Sequence, residues 1–181
     1  MRTSIILLLF LIVTNCNNKP KQANLPKEQA SNPYYSRADT SQLHVSNAEW
    51  KQLLPPDLYA VAREQGTEPA FSGKYWNADA KGVYYCAVCG NKLFRSDAKF
   101  ASDCGWPSFF ESLETNSVLY KEDLSHGMER IEVTCARCDS HLGHIFDDGP
   151  PPTYKRYCMN SISLDFDPDD TSHFKDKNPQ F

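Results

Sequence analysis

The chain has 181 residues, 40% of them hydrophobic and 23% charged, with a formal net charge of −4. This is the composition of an ordinary globular protein, long enough for one well-cored domain and a tail. No dense basic stripe is present, so nucleic acid is excluded as an expected partner.

The N-terminal stretch "MRTSIILLLFLIVTNC" carries one Arg, then an unbroken apolar run from Ile5 to Val13, then a short polar step. Residues 1–15 have the layout of an export signal and are too short for a comfortable membrane span. Cys16 resembles the lipid-bearing cysteine of bacterial lipoproteins, with Asn15 in place of the usual small residue. A lipid anchor and a site facing the periplasm or cell exterior are the expectation. From Cys16 to residue 45 the chain is polar and Pro-dotted, which predicts a flexible linker with a reach on the order of 30 Å. The folded domain is expected over 46–168. "SNAEWKQLL" opens it with a capping box, Ser46 and Glu49, and Pro55 ends that helix. "PPDLYAVAREQG" predicts a second short helix with Gly66 as its stop. From Lys81 the texture changes to short β-branched or aromatic runs: "GVYYC", "KLF", "RIEVTC", "HLGHIF" and "YKRYCMNSISLDF". Gly, Pro, Asp and Asn separate them, so an antiparallel β domain is predicted. Residues 169–181 read as a polar tail.

Two of these runs echo each other as strand, CxxC, polar turn, strand. Cys86, Cys89, Cys135 and Cys138 have the spacing of two metal knuckles, and Gly90 suits the positive φ of such a turn. Zinc is the expected ion. Iron, as in rubredoxin-like electron carriers, uses the same ligands, whereas a disulfide between residues three apart in a hairpin is strained. Four thiolates leave no open coordination position, so the site would be structural. With Cys16 and these four set aside, Cys104 and Cys158 remain, in contexts suited to a two-cysteine redox cycle. Cys104 lies in "SDCGWPSFF", where Gly105 and Pro107 impose a turn and Trp106 forms a rigid apolar wall. Cys158 lies in "TYKRYCMNS". If that stretch is a strand, Arg156, Cys158 and Asn160 share a face, and Arg156, roughly 7 Å away at its Cα, favours the thiolate.

The segments "REQGTEPAFSGKYW", "YYCAVCGNKLF", "CGWPSF", "SHGMERIEVTCARCDSHLGHIFDDGPPPT" and "RYCMNS", in this order over about residues 47–167, are similar to the methionine sulfoxide reductase B family. Tyr154 and Lys155 stand where the family often has Gly-Leu, and Met159 where it often has Ile or Val. The resemblance implies two antiparallel sheets in a barrel-like arrangement, after short N-terminal helices, with zinc on the two knuckles. It implies that Cys158 attacks the sulfur of a methionine R-sulfoxide in an oxidised protein and becomes a sulfenic acid. Cys104 would then condense with it to a disulfide, which a thioredoxin-like reductant reopens. His141, His144 and Asn160 match positions near the sulfoxide, Arg156 a position beside the nucleophile, and Trp106 the wall for the substrate methyl. The two His are three apart, so both reach one site only if the strand kinks, and Gly143 is the natural place. His144 is the stronger candidate for proton donor. An exported cysteine enzyme needs electrons from outside its oxidising compartment, so a membrane-tethered thioredoxin-like donor is the expected partner.

Overall fold

A computed structural model describes residues 32–169. Ser46 caps helix α1 (Asn47–Leu53) as expected, its hydroxyl accepting from the Glu49 N–H at 3.2 Å. Helix α2 (Pro56–Glu64) buries Leu58, Val61 and Ala62. Its left-handed stop is Gln65 (φ 57°) rather than Gly66. The Gln65 amide donates to the Glu132 carboxylate, which offsets the cost of that conformation in a non-glycine residue.

Nine strands follow among the described residues: β1 (Gly82–Cys86), β2 (Lys92–Arg95), β3 (Lys99–Phe100), β4 (Ser108–Phe109), β5 (Val118–Asp123), β6 (Arg130–Cys135), β7 (His141–Phe146), β8 (Arg156–Met159) and β9 (Leu164–Pro168). They make two antiparallel sheets, a small one in the order β2-β1-β9 and a large one in the order β3-β4-β8-β7-β6-β5. The run "YKRYCMNSISLDF" is therefore two strands in different sheets, parted by a tight turn at Ser161–Ser163. Aromatic rings fill the core, with Phe94 stacked on Phe109 at 4.5 Å and Tyr84 packed on both Phe109 and Phe166. Tyr154 takes φ 58°, a left-handed conformation that explains why glycine suits this position better.

Two boundaries differ from the sequence reading. Residues 32–45 are not a free linker but a strap packed on the fold. Asn32 donates to the Val88 carbonyl at 2.8 Å, and Ser36 N–H to the Cys89 carbonyl at 2.9 Å. Leu43 N–H donates to the Arg137 carbonyl at 2.7 Å, and Arg37 pairs with Asp165 and Asp167. Tyr34 meets Trp50 edge-on at 5.3 Å. Most of these contacts run through backbone and polar groups, so no apolar periodicity announces them. At the other end Asp169, expected to begin the tail, is held by Arg95 and by the Lys81 carbonyl. The proposed signal, Cys16 and residues 170–181 lie outside the described residues.

Candidate active site and metal centre

The two CxxC turns meet at the ends of β1 and β6, so one cluster joins the two sheets. The Sγ atoms of Cys86, Cys89, Cys135 and Cys138 all lie within 4.8 Å of one another, and all four residues are buried. The pairs Cys86–Cys138 and Cys89–Cys135 stand 3.7 and 3.6 Å apart. A tetrahedral ion with metal–sulfur bonds near 2.3 Å needs edges of about 3.8 Å, so the donor set fits a metal ion. Each knuckle closes on its own backbone: Gly90 N–H donates to the Cys86 carbonyl and Asp139 N–H to that of Cys135, both at 2.8 Å. Gly90 takes φ 79°, as expected, and Asp139 takes the equivalent place in the second knuckle at φ 58°. Arg137, buried inside the second knuckle, donates to the Cys89 carbonyl of the first and to the Tyr34 and Ser41 carbonyls of the strap.

Cys104 and Cys158 come together from distant parts of the chain, with their sulfurs 3.5 Å apart. A disulfide needs a bond of about 2.05 Å, so the two have only some 1.5 Å to close. Cys158 opens into a small cavity of about 120 Å³ lined by Trp106, His144, Arg130, Phe146, Met159 and Asn160, with Thr67 and Gly143. Cys104 does not line it, and its sulfur lies 3.0 Å from the Ser102 hydroxyl and 3.4 Å from that of Ser108.

The electrostatics divide the pair. Burial acts to raise the Cys104 thiol, but hydrogen bonds from the Ser102 and Ser108 hydroxyls, with those at the Trp106 backbone and Cys158, together bring it down to about 7. Burial and then the adjacent Cys104 push the Cys158 thiol up to about 12, and the opposing effect of Arg156 loses. Arg156 spends its charge elsewhere. Its guanidinium makes two 2.8 Å bonds to Asp148 and lies 4.5 Å over the Phe146 ring. Asp147 likewise pairs with Lys155. Of the two thiols Cys104 is thus the more readily ionised, and not Cys158 as the flanking cation suggested.

The kink expected at Gly143 is present. Val133 pairs with Gly143 and Thr134 with His141, so Leu142 is bulged out of register. The His141 and His144 rings come to 5.4 Å. A Cβ on Gly143 would lie 2.1 Å from the Cys158 carbonyl oxygen, so this close crossing of β7 and β8 demands glycine. Only His144 of the two lines the cavity. Its Nε2 stands 2.7 Å from Asp123, which also pairs with Arg130 at 2.6 Å and accepts from the Ser125 N–H at 2.9 Å. Hydrogen bonds from Ser125, with His144 and Arg130 beside it, hold the Asp123 carboxyl well below the usual range. An ionised Asp123 accepts the Nε2 proton and so fixes the ring's tautomer. His141 is buried behind, with Nδ1 2.6 Å from Glu132 and Nε2 without a partner among the described residues. Burial pulls it below the usual imidazole range, against the pull of Glu132.

Asn160 follows β8 instead of lying in it, so it does not share a strand face with Arg156 and Cys158. It still lines the cavity. Its amide donates to the Leu142 carbonyl and accepts from Glu68 N–H. Glu68 clamps the turn after Asn160 through the Ser161 and Ile162 N–H groups, and its carbonyl accepts from the Trp106 indole at 3.1 Å. That bond sets the wall. Sequence reasoning missed Arg130, Asp123 and Glu132. The hairpin "VLYKEDLSHGMERIEVT" could have revealed the first two, because pairing it in register puts Asp123 opposite Arg130.

A close thiol pair at a cavity, separate from a buried four-cysteine cluster able to hold a metal ion, is the arrangement of a dithiol oxidoreductase. The SelR domain family matches residues 54–168. Over 125 residues the chain is 55% identical to the "Peptide methionine sulfoxide reductase MsrB" of Thiobacillus denitrificans, covering 69% of this chain and 95% of that protein. A protein of the same name from Methanosarcina barkeri is 56% identical over 121 residues, covering 67% and 85%. One from Acinetobacter baylyi is 48% identical over 128 residues, covering 71% and 92%. The chain belongs to this SelR-domain, methionine sulfoxide reductase B family.

Proposed function

We propose that the protein reduces the R epimer of methionine sulfoxide in oxidised proteins. The observation that carries this reading is the Cys104–Cys158 pair at 3.5 Å, with Cys158 alone of the two opening into the cavity between Trp106 and His144. The apolar wall of Trp106, Phe146 and Met159 takes the substrate methyl, and the polar side of His144, Arg130 and Asn160 takes the oxygen. With both fixed, only one arrangement about the chiral sulfur faces Cys158, which accounts for a single epimer. The Cys158 sulfur takes the oxygen as the sulfur–oxygen bond of the substrate breaks. Thiol and sulfoxide thus become sulfenic acid and methionine, with no net proton change. The Cys104 thiol then attacks the sulfenic sulfur, water leaves, and a disulfide forms. A thioredoxin-like dithiol takes over that disulfide by exchange. Zinc is the ion we assign to Cys86, Cys89, Cys135 and Cys138, where it supplies a cross-link between the sheets and no chemistry at Cys158. A rubredoxin-like electron carrier would leave both the cavity and the thiol pair without use.

From the first 16 residues we further propose export and lipid attachment at Cys16, with a membrane-tethered electron donor. Labelling with a fatty-acid analogue should mark the wild type and not Cys16→Ser; equal labelling would refute the anchor. The catalytic reading is tested by turnover of resolved R and S sulfoxides of a blocked methionine with excess dithiothreitol. The R form should be consumed and the S form left. Consumption of S, or of both equally, would overturn it.

A further inference from the structure

The exposed apolar side chains of the described residues are not scattered. Seven large hydrophobics are exposed, and five of them, Leu119, Tyr120, Leu124, Met128 and Ile131, lie on one hairpin, β5–β6 with its loop. Strand β5 ends the large sheet. It pairs with β6 at every position and has no strand on its other side among the described residues. A strand edge of six residues with apolar neighbours is a template for another extended chain, and proteins blunt such edges unless they are used. Lys121 and Glu122 interrupt the apolar run, which disfavours unspecific stacking.

The edge is also joined to the reaction centre. The register carries Lys121 opposite Glu132, Glu132 opposite His144, and His144 opposite Cys158, so these residues form one row across one face of the sheet. Asp123 at the end of β5 bonds His144, and Arg130 at the start of β6 lines the cavity. Leu124 and Met128 stand on the loop between them.

We propose that the free edge of β5 docks an extended, apolar segment of the oxidised substrate protein by strand addition, a few residues away in sequence from the methionine sulfoxide. This rests on the function proposed above, in which the substrate is a polypeptide. Backbone hydrogen bonds to β5 supply affinity without regard to sequence, and Leu119 and Tyr120, on opposite faces of the strand, give the added segment an apolar neighbour on each side. An added strand lies four strand spacings from Cys158, roughly 19 Å, which about five to six extended residues span. Unfolded or damaged proteins expose such segments and native ones do not, so the surface selects damaged substrates.

The test uses the full chain and three probes. These are an N-acetylated methionine R-sulfoxide, a peptide with a Val/Ile/Tyr-rich segment about five residues from its R-sulfoxide, and the same peptide N-methylated at alternate residues of that segment. The apolar peptide should exceed the blocked amino acid in kcat/KM by at least about tenfold, and N-methylation should remove most of that advantage. Leu119→Lys with Leu124→Lys should shrink the ratio of the two kcat/KM values through KM. An unchanged ratio in that variant, or full activity of the N-methylated peptide, would overturn the proposal. So would a dimer in sedimentation that the peptide fails to dissociate, since a second copy would then own the edge. No turnover of any of the three probes by the wild type would sink the proposed function itself and the docking with it.

Discussion

At Cys158 the local cation matters less than what surrounds it. A sequence motif shows Arg156 two residues away but cannot show that Asp148 neutralises it, or that burial costs a thiolate more than the cation returns. At Cys104 the balance reverses because the Ser102 and Ser108 hydroxyls, the Trp106 backbone and Cys158 all hydrogen-bond the sulfur. Alkylation follows the thiolate, so its rate rises as pH passes through the thiol's own value. In the reduced protein at pH 7, iodoacetamide should modify Cys104 first, with a midpoint at about 7, and Cys158 only slowly until far more alkaline pH. Peptide mapping against pH checks this, and preferential labelling of Cys158 at neutral pH would contradict it. In the proposed cycle turnover still belongs to Cys158, because of the two thiols it alone lines the cavity. Cys158→Ser should lower kcat by at least roughly 10³-fold, measured with dithiothreitol as reductant. The chemistry-bearing residues were legible because short motifs carry them. Asp123, Glu132, Arg130 and Glu68 were not, since each acts through a partner that only the fold brings near.

Among the elements, β7 shows how a motif's spacing becomes geometry. Two histidines three apart cannot share a regular strand face, and that conflict, once the resemblance set both at one site, pointed to a kink at Gly143. Gly143→Ala should push β8 aside at the Cys158 carbonyl, costing about 1–3 kcal/mol in denaturant unfolding and most of the activity. The helices and both knuckle hairpins could be read from capping, CxxC spacing and apolar pattern. Strand β5 could not, because an exposed edge rich in Lys, Glu and Asp carries little buried alternation. Strands β3 and β4, two residues each, leave no periodicity to read. The strap was mistaken for a linker since its bonds run to backbone carbonyls and to the distant carboxylates of Asp165 and Asp167. Its keystone is Arg137, and Arg137→Met would leave the Cys89, Tyr34 and Ser41 carbonyls without this donor. That variant should lose metal affinity by roughly 10–100-fold in a chelator competition.

For the molecule as a whole, the four-cysteine cluster sits where the end of β1 in the three-stranded sheet meets the end of β6 in the six-stranded one, so an ion held there would tie the two sheets together, and His141 follows its last cysteine by three residues. Stripping the ion with a chelator under reducing conditions should lower Tm by about 10 °C or more, with activity falling in step as the sheets part. A chelated protein with unchanged Tm would contradict a structural metal. The central claim, that Cys158 takes the oxygen and Cys104 resolves the product, is tested most directly by a single turnover without reductant. The reduced, metal-loaded full chain is mixed with the R-sulfoxide of a blocked methionine, and methionine formed, thiols lost and the disulfide map are read together. One methionine, two thiols lost and a Cys104–Cys158 disulfide are predicted, with Cys104→Ser still forming methionine but holding a sulfenic acid on Cys158. Methionine formed with both thiols intact, or a disulfide drawn from the knuckle cysteines, would contradict the account.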